Sequence, residues 1–340
     1  MKYHLWYAFY KVAFAVYYGM KWAKAFPFRV TIVPFLWRRD LKRMPRLNPI
    51  HKQLYYTMQA YHLSKLGRPI NFANPQDYND IVCKINLGGQ CDVRKKLYSD
   101  KWYYRSLIDA ELRVPLLGLY KTSAEIDFDA LPNSFVIKTN NDSGTVFIVN
   151  NKQEINWDKI RARLDCKLKM TYGQYSGSWM YRGITPRIMI EKLLGQNALC
   201  VERSSVSLGI PFLPKIRPRR YTPPADWKFH CYEGKVKWLQ YIYGRGIKTT
   251  EANYDRNFKR ITDQLDPEFE YSQLTLTKPD NWEEIISIAE QNARGLDYVR
   301  VDLYNIRGHI YFGEMTFFPR SGCYPGVPKI FGDLLLENSI

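Results

Sequence analysis

From Leu5 to Phe28 the chain runs LWYAFYKVAFAVYYGMKWAKAFPF, an aromatic stretch interrupted only by Lys11, Lys21 and Lys24. Its longest uncharged run, Val12 to Met20, is nine residues, against the roughly 20 that a bilayer-spanning helix needs. No small-residue cleavage site follows, which argues against a secretory signal. Aromatics suited to an interface, with lysines able to snorkel towards anionic headgroups, predict a helix lying in a membrane surface. An amphipathic helix packed on the protein's own body has the same pattern. Arg38, Arg39, Lys42, Arg43 and Arg46 extend the basic character.

Residues 47–130 predict mainly helices, with turn signals at Asn74-Pro75 and Gly88-Gly89. From Leu131 short apolar runs alternate with Gly, Asn and Asp. Phe135–Ile137, Thr145–Val149, Arg187–Glu191, Lys235–Tyr243, Tyr298–Tyr304 and His309–Thr316 predict strands. One helix is signalled by a capping box of Asp280 and Glu283 around Trp282, with Gly295 closing its end. It feeds directly into the strand carrying Asp302. Between Gln196 and Pro224, Arg203, Lys215, Arg217, Arg219 and Arg220 are broken by prolines at 211, 214, 218 and 223, which predicts a loop or flap. No repeat or low-complexity tract is present. The pattern predicts an α+β protein with antiparallel sheet in its second half. Its regions are a basic aromatic segment (1–46), a helical N-terminal domain (47–130) and a sheet-rich region (131–340).

Composition narrows the partners. The 340 residues include 46% hydrophobic side chains, enough for a large core. Fifty Lys and Arg against 33 Asp and Glu give a net charge of +17, which predicts an anionic partner. No aromatic-basic motif of a nucleic-acid module appears, so nucleic acid is not expected. Cysteines at 83, 91, 166, 200, 231 and 323 show no zinc-clip spacing and read as free thiols. His230 and His309 read as packing or surface residues.

Three segments carry candidate chemistry. In FVIKTNNDSGTVFIV (135–149) an apolar strand ends at Lys138 and enters the loop Asn140-Asn141-Asp142-Ser143-Gly144. A lysine at the end of a buried strand is costly without an anion, and such a loop offers backbone N–H groups to phosphate oxygens. An ordinary hairpin with an exposed lysine has the same sequence pattern. In YVRVDLYNIRGHIYFGEMT (298–316), Val299, Val301 and Leu303 share one strand face, Arg300 and Asp302 the other. A three-residue turn, Ile306-Arg307-Gly308, would pair Asp302 with Phe312 and Arg300 with Glu314, making Asp302 and Glu314 diagonal neighbours able to hold Mg²⁺ with substrate phosphates. A two- or four-residue turn would put them on opposite faces. The third segment, RIMIEKLL (187–194), is a buried strand leading to Glu191-Lys192, with a possible hinge after it.

Taken together these segments resemble an ATP-grasp protein, specifically the TupA-like, teichuronopeptide-biosynthesis branch. The resemblance extends over NPQDYNDIVCKIN, SDKWYYR (99–105), LPNSFVIKTNNDSG (131–144), ITPRIMIEKLL (184–194), DWKFHCYEGKVKWLQ (226–240) and YVRVDLYNIRGHIYFGEMTFFPRSG (298–322). It implies an ATP-grasp fold with a helical N-terminal region and antiparallel sheets sandwiching the nucleotide. It implies that Lys101, Lys138, Ser143 and Gly144 hold nucleotide phosphates, and that Glu191, Lys192 and Leu194 frame the adenine and ribose. Asp302 and Glu314 would be the magnesium ligands. Lys228, Arg245, Arg300 and Arg320 would meet phosphate or an acyl phosphate. The implied activity is an ATP- and Mg²⁺-dependent carboxylate–amine ligase in cell-surface polysaccharide biosynthesis, joining an amino acid or amine to a uronic acid. A glycan kinase needs the same nucleotide site. The implied partners are an acidic glycan, nucleotide-sugar or lipid-linked sugar, with the protein cytoplasmic and peripheral to the inner face of the membrane. Three departures stand out. Thr316 replaces the Asn usual in the wider superfamily, the phosphate loop has a single glycine, and the 196–224 insertion is longer than usual.

Overall fold

Strict alternation of side chains builds the sheets. In Phe135–Thr139, Phe135 and Ile137 enter one core while Val136 and Lys138 point the other way. The computed structural model describes residues 2–195, 223–245 and 248–337. Most of the predicted basic flap, including Arg203, Lys215, Arg217, Arg219 and Arg220, lies outside the described residues.

In chain order the elements are α1 (Lys2–Arg43), α2 (Lys52–Leu66), α3 (Tyr78–Gly88), α4 (Val93–Ser99), α5 (Lys101–Arg105), β1 (Leu116–Tyr120), β2 (Phe135–Thr139), β3 (Val146–Val149), α6 (Trp157–Leu168) and β4 (Ile188–Lys192). The second half adds β5 (Asp226–Tyr232), β6 (Lys235–Tyr243), β7 (Thr250–Asp255), β8 (Arg260–Ile261), β9 (Glu270–Tyr271), α7 (Trp282–Ala293), β10 (Tyr298–Ile306), β11 (His309–Thr316) and α8 (Lys329–Leu336). Among the described residues, one sheet has the order β1-β4-β2-β3 and the other β11-β10-β5-β6-β7-β8. Both are antiparallel, apart from a parallel contact of β9 with β7. This is the mixed α+β architecture expected, with helices leading and antiparallel sheets following. Strands β1 and β7 and helix α6 carried no clear signal. Because β1 pairs with β4, the first sheet draws a strand from before residue 130.

Helix α1 lays Tyr10, Phe14, Ala25, Val33, Leu36 and Trp37 against the body, mainly on α2 and α6. Its acid, Asp40, is buried and accepts from Tyr55 Oη at 2.8 Å and Arg39 Nε at 2.7 Å. No helix among the described residues is long and apolar enough to cross a membrane.

Helix α7 corrects a local expectation. Its cap position is Asn281, and no side chain caps it. The expected box fails because Asp280 lies one residue too early, and Glu283 pairs with Lys278 Nζ at 3.1 Å instead. Gly295 does follow the helix end, at φ +72°. The described cysteines, 83, 91, 166, 231 and 323, are free thiols.

The β10–β11 hairpin departs from its predicted register. Ile306 pairs with His309, so the turn is the two-residue Arg307-Gly308, both at positive φ (54° and 83°). That geometry suits the right-handed strand twist, but a regular ladder beyond it would put Asp302 and Glu314 on opposite faces. A bulge prevents this. Leu303 pairs with Phe312, Asp302 with Glu314, and Gly313 is the extra residue. The carboxylates are therefore direct cross-strand partners instead of diagonal neighbours. A Cβ at 313 would stand 2.9 Å from the carbonyl oxygen of Asp302, so Gly313→Ala must push the strands apart. Expected results are a fall in kcat of about tenfold or more and a melting point lower by a few degrees, the costs of about 1–3 kcal/mol of misfit. Wild-type turnover and melting in this variant would show that the bulge is not needed.

Candidate active site

A cleft of about 690 Å³ opens between the two sheets. All residues singled out from the sequence line it: Lys101, Lys138, Ser143, Gly144, Glu191, Lys192 and Leu194, with Lys228, Arg245, Arg300, Arg320, Asp302 and Glu314.

The first wall comes from β2, β3 and β4. Val136 stands opposite Glu191 in the ladder, so Glu191 shares the face of Lys138. Lys138 Nζ lies 2.7 Å from Glu191 Oε2, and Arg105 Nη1 lies 3.6 Å from Oε1. Burial alone would lower the Lys138 ammonium, but Glu191 outweighs it and holds the group above its ordinary value. Lys138 is therefore a fixed cation. Val114, Val136 and Ile148 supply an apolar patch nearby, ending at Lys192, Leu193 and Leu194.

The loop after Lys138 is organised from within. Asp142 is buried and accepts from Thr139 Oγ1 at 2.5 Å and from Thr145 Oγ1, with Lys167 Nζ 3.7 Å away. Asn140 donates to Asp100 Oδ1 at 2.8 Å, while Asp100 also caps α5. These ties leave Ser143 and Gly144 exposed at the tip, Gly144 at φ +92°. Lys101, the first residue of α5, donates to the carbonyls of Thr139 at 3.3 Å and Asp142 at 2.5 Å, and lies 3.7 Å from Glu314. Two of its three protons thus hold the loop in shape.

The second wall is built by β5, β10 and β11. Asp302 pairs directly with Lys228 on one side and Glu314 on the other. It accepts from Arg300 Nε at 2.6 Å, Arg300 Nη2 at 2.7 Å and Lys228 Nζ. Burial would raise the Asp302 carboxyl, but Arg300 and Lys228 overcome it and hold it below its ordinary value. Glu314 is more open, with 27% of its side chain exposed. Arg300 Nη2 donates to Thr316 Oγ1 at 3.1 Å, and that hydroxyl donates to Glu314 Oε1 at 3.4 Å. Thr316, noted above as a departure from the resemblance, therefore orients Glu314. Arg245 pairs with Asp226, and Arg320 with Asp266 and Glu268.

The histidines stay out of this chemistry. His230 is buried, stacked on Trp238 at 4.2 Å and bonded to Tyr298 Oη at 2.9 Å. His309 is exposed in the hairpin.

Residues the sequence reading did not pick out include Asp142, Asp226, Asp266 and Gly313. For Gly313 a signal existed, since a glycine inside a strand marks a bulge or a close backbone approach. Asp226 and Asp266 carried none, because their partners Arg245 and Arg320 are distant in sequence.

The donor set fits magnesium. Asp302 and Glu314 are cross-strand partners, and such a pair suits an ion that keeps several waters and takes its remaining ligands from phosphates; Lys228 and Arg300, which Asp302 holds here, would have to yield an oxygen to it. Among the described residues no group of three or more His, Cys, Asp or Glu could hold a metal alone.

Two antiparallel sheets close on a cleft lined by lysines, arginines and carboxylates, an arrangement that suits an enzyme acting on anionic reactants. The sequence model of the family described as TupA-like ATPgrasp matches residues 90–199 and 217–340. That is well over half of the chain, which belongs to this family. None of the curated proteins compared matches. Similar solved structures include a D-alanine–D-alanine ligase from Bacillus anthracis, with 16% identity, 75% of this chain and 68% of that chain covered, and a TM-score of 0.37. The ATP-grasp ligase PsnB with a minimal precursor shows 10% identity over 75% and 67% of the two chains, TM-score 0.35. D-alanyl-alanine synthetase A from Vibrio cholerae shows 15% identity over 77% and 68%, TM-score 0.36. These superpositions are partial, and the family match carries the assignment.

Proposed function

We propose that the chain joins the carboxylate of a uronic acid, in an envelope polysaccharide or its precursor, to the amine of an amino acid. The observation that carries this is the charge of the cleft. Seven Lys and Arg line it against five Asp and Glu, and those acids are engaged with cations. Such a site favours anionic reactants, and among the described residues every lining carboxylate has a cation within 4 Å, which suits a carboxylate acceptor.

In the proposed reaction a carboxylate oxygen attacks the γ-phosphorus of ATP, giving an acyl phosphate and ADP. The free amine then attacks the acyl carbon, an amide forms, inorganic phosphate leaves, and the nitrogen's proton passes to solvent. Lys138, with Ser143 and Gly144 at the loop tip, would hold the phosphates. Glu191, Lys192 and Leu194 would border the base and ribose. Lys228, Arg245, Arg300 and Arg320 keep cationic groups around the transferring phosphoryl. Magnesium, held by Asp302 and Glu314, would neutralise phosphate charge when bound.

Hydroxylamine tests this reading, since it converts an acyl phosphate to a hydroxamate. With ATP, Mg²⁺ and uronate saccharides, hydroxamate and ADP are expected in equal amounts. A phosphate-bearing sugar without hydroxamate would identify a kinase instead. Hydroxamate from other carboxylic acids but from no uronate would overturn the substrate and keep the ligase.

A further inference from the structure

The outward side of α1 is a large feature that the cleft does not use. Leu5, Phe9, Val12, Val16 and Met20 stand at i, i+4, i+7, i+11 and i+15, so they form one line along the helix. All are exposed, Leu5 at 66%, Val12 at 63% and Val16 at 55%. Trp22, Phe26, Val30 and Phe35 leave further apolar surface open on a helix about 60 Å long. Single exposed apolar residues are ordinary, but a continuous row marks an interaction surface.

Charge decides what that surface meets. Lys2–Arg43 holds nine Lys and Arg and one acid, Asp40. Asp40 is buried and already bonded to Arg39 and Tyr55, so α1 exposes cations and no carboxylate. A second copy laid on this face would bring Lys2 and Lys24, the exposed lysines nearest the row, against the same helix, with no acid on it to meet them. An anionic bilayer satisfies both features, with apolar side chains at the acyl boundary and lysines among the headgroups.

We propose that α1 lies along an anionic membrane through the Leu5–Phe9–Val12–Val16–Met20 face while its Tyr10–Phe14 side stays docked on the body. The helix is then both interface and structural support. On its inner side Lys167 Nζ sits 4.6 Å over the Phe14 ring and 3.7 Å from Asp142, which orders the phosphate loop. The membrane face and the nucleotide site are thus separated by one packed layer. The docking does not rest on the reaction assigned above.

Co-sedimentation of the full chain with vesicles tests it, using phosphatidylcholine alone and phosphatidylcholine mixed with phosphatidylglycerol. The wild type is expected to sediment with the anionic vesicles, and to leave them as salt rises. Val12→Glu combined with Val16→Glu should reduce binding about tenfold or more, with far-ultraviolet dichroism, melting point and ATP affinity unchanged. Equal binding of wild type and variant, or no binding of wild type to anionic vesicles, overturns the proposal. So does a dimer of the wild type, seen in sedimentation velocity, that the same variant dissociates.

Discussion

Asp302→Asn is expected to lower kcat by about a thousandfold or more, the scale set by loss of a charge that organises phosphoryl transfer. Asp302 is 5% exposed and takes donors from Arg300 and Lys228. Asn keeps the size but removes the charge, and its amide group presents hydrogens to the two cations. Leaving buried cations uncompensated costs about 3–5 kcal/mol, so a marked fall in melting point should accompany the loss of activity. The pH dependence separates the two consequences. The folded Asp302 carboxyl lies below its ordinary value, so its stabilisation is fully present above the unfolded carboxylate's pKa and is lost as pH falls through the folded one. Urea midpoints measured downwards from neutral pH should therefore drop less steeply in Asp302→Asn than in wild type. Parallel acid limbs, or near-normal turnover, would show that the carboxylate is not ionised and engaged as described.

Lys138→Met is the second large effect. The lysine is held protonated by Glu191 on the β2–β4 wall of the cleft. Hydrogen bonds to charged groups are worth about 1.5–3 kcal/mol, so ATP affinity in magnesium should fall roughly ten- to a hundredfold by calorimetry. Stability should suffer less than in Asp302→Asn, because Glu191 keeps Arg105 at 3.6 Å. Lys138→Arg should not restore binding, since the planar guanidinium fork and the compact ammonium place their protons differently. Unchanged affinity would remove Lys138 from the phosphate site and leave it as a structural partner of Glu191.

Much of this site was legible because it is written locally. Lys138 follows an alternating strand, and the apolar positions Val299, Val301 and Leu303 put Arg300 and Asp302 on the other face. Other parts are set by long-range pairing and left no local trace. The coupling of Asp302 to Lys228 spans 74 residues, and that of Arg320 to Asp266 spans 54. The contacts of Lys101 were hidden on the same ground. The resemblance implies a phosphate cation, and folding also brings the carbonyls of Thr139 and Asp142 to its ammonium. Strand β1 was hidden in a stretch that otherwise forms helices, and only its partner β4 gives it a ladder. The two carboxylates were placed on one face by a three-residue turn, and the fold reaches that face by another route.

That route has a consequence for how the family can vary. Eleven residues separate Asp302 from Glu314. Because strand side chains alternate with a period of two, this odd spacing works with a two-residue turn only if one residue drops out of the ladder, which Gly313 does. A three-residue turn over the same spacing needs no bulge. Turn length and strand glycine are therefore two settings of one count. Among homologues they should change together, and a relative with the longer turn should be free to carry a side chain at the position equivalent to 313.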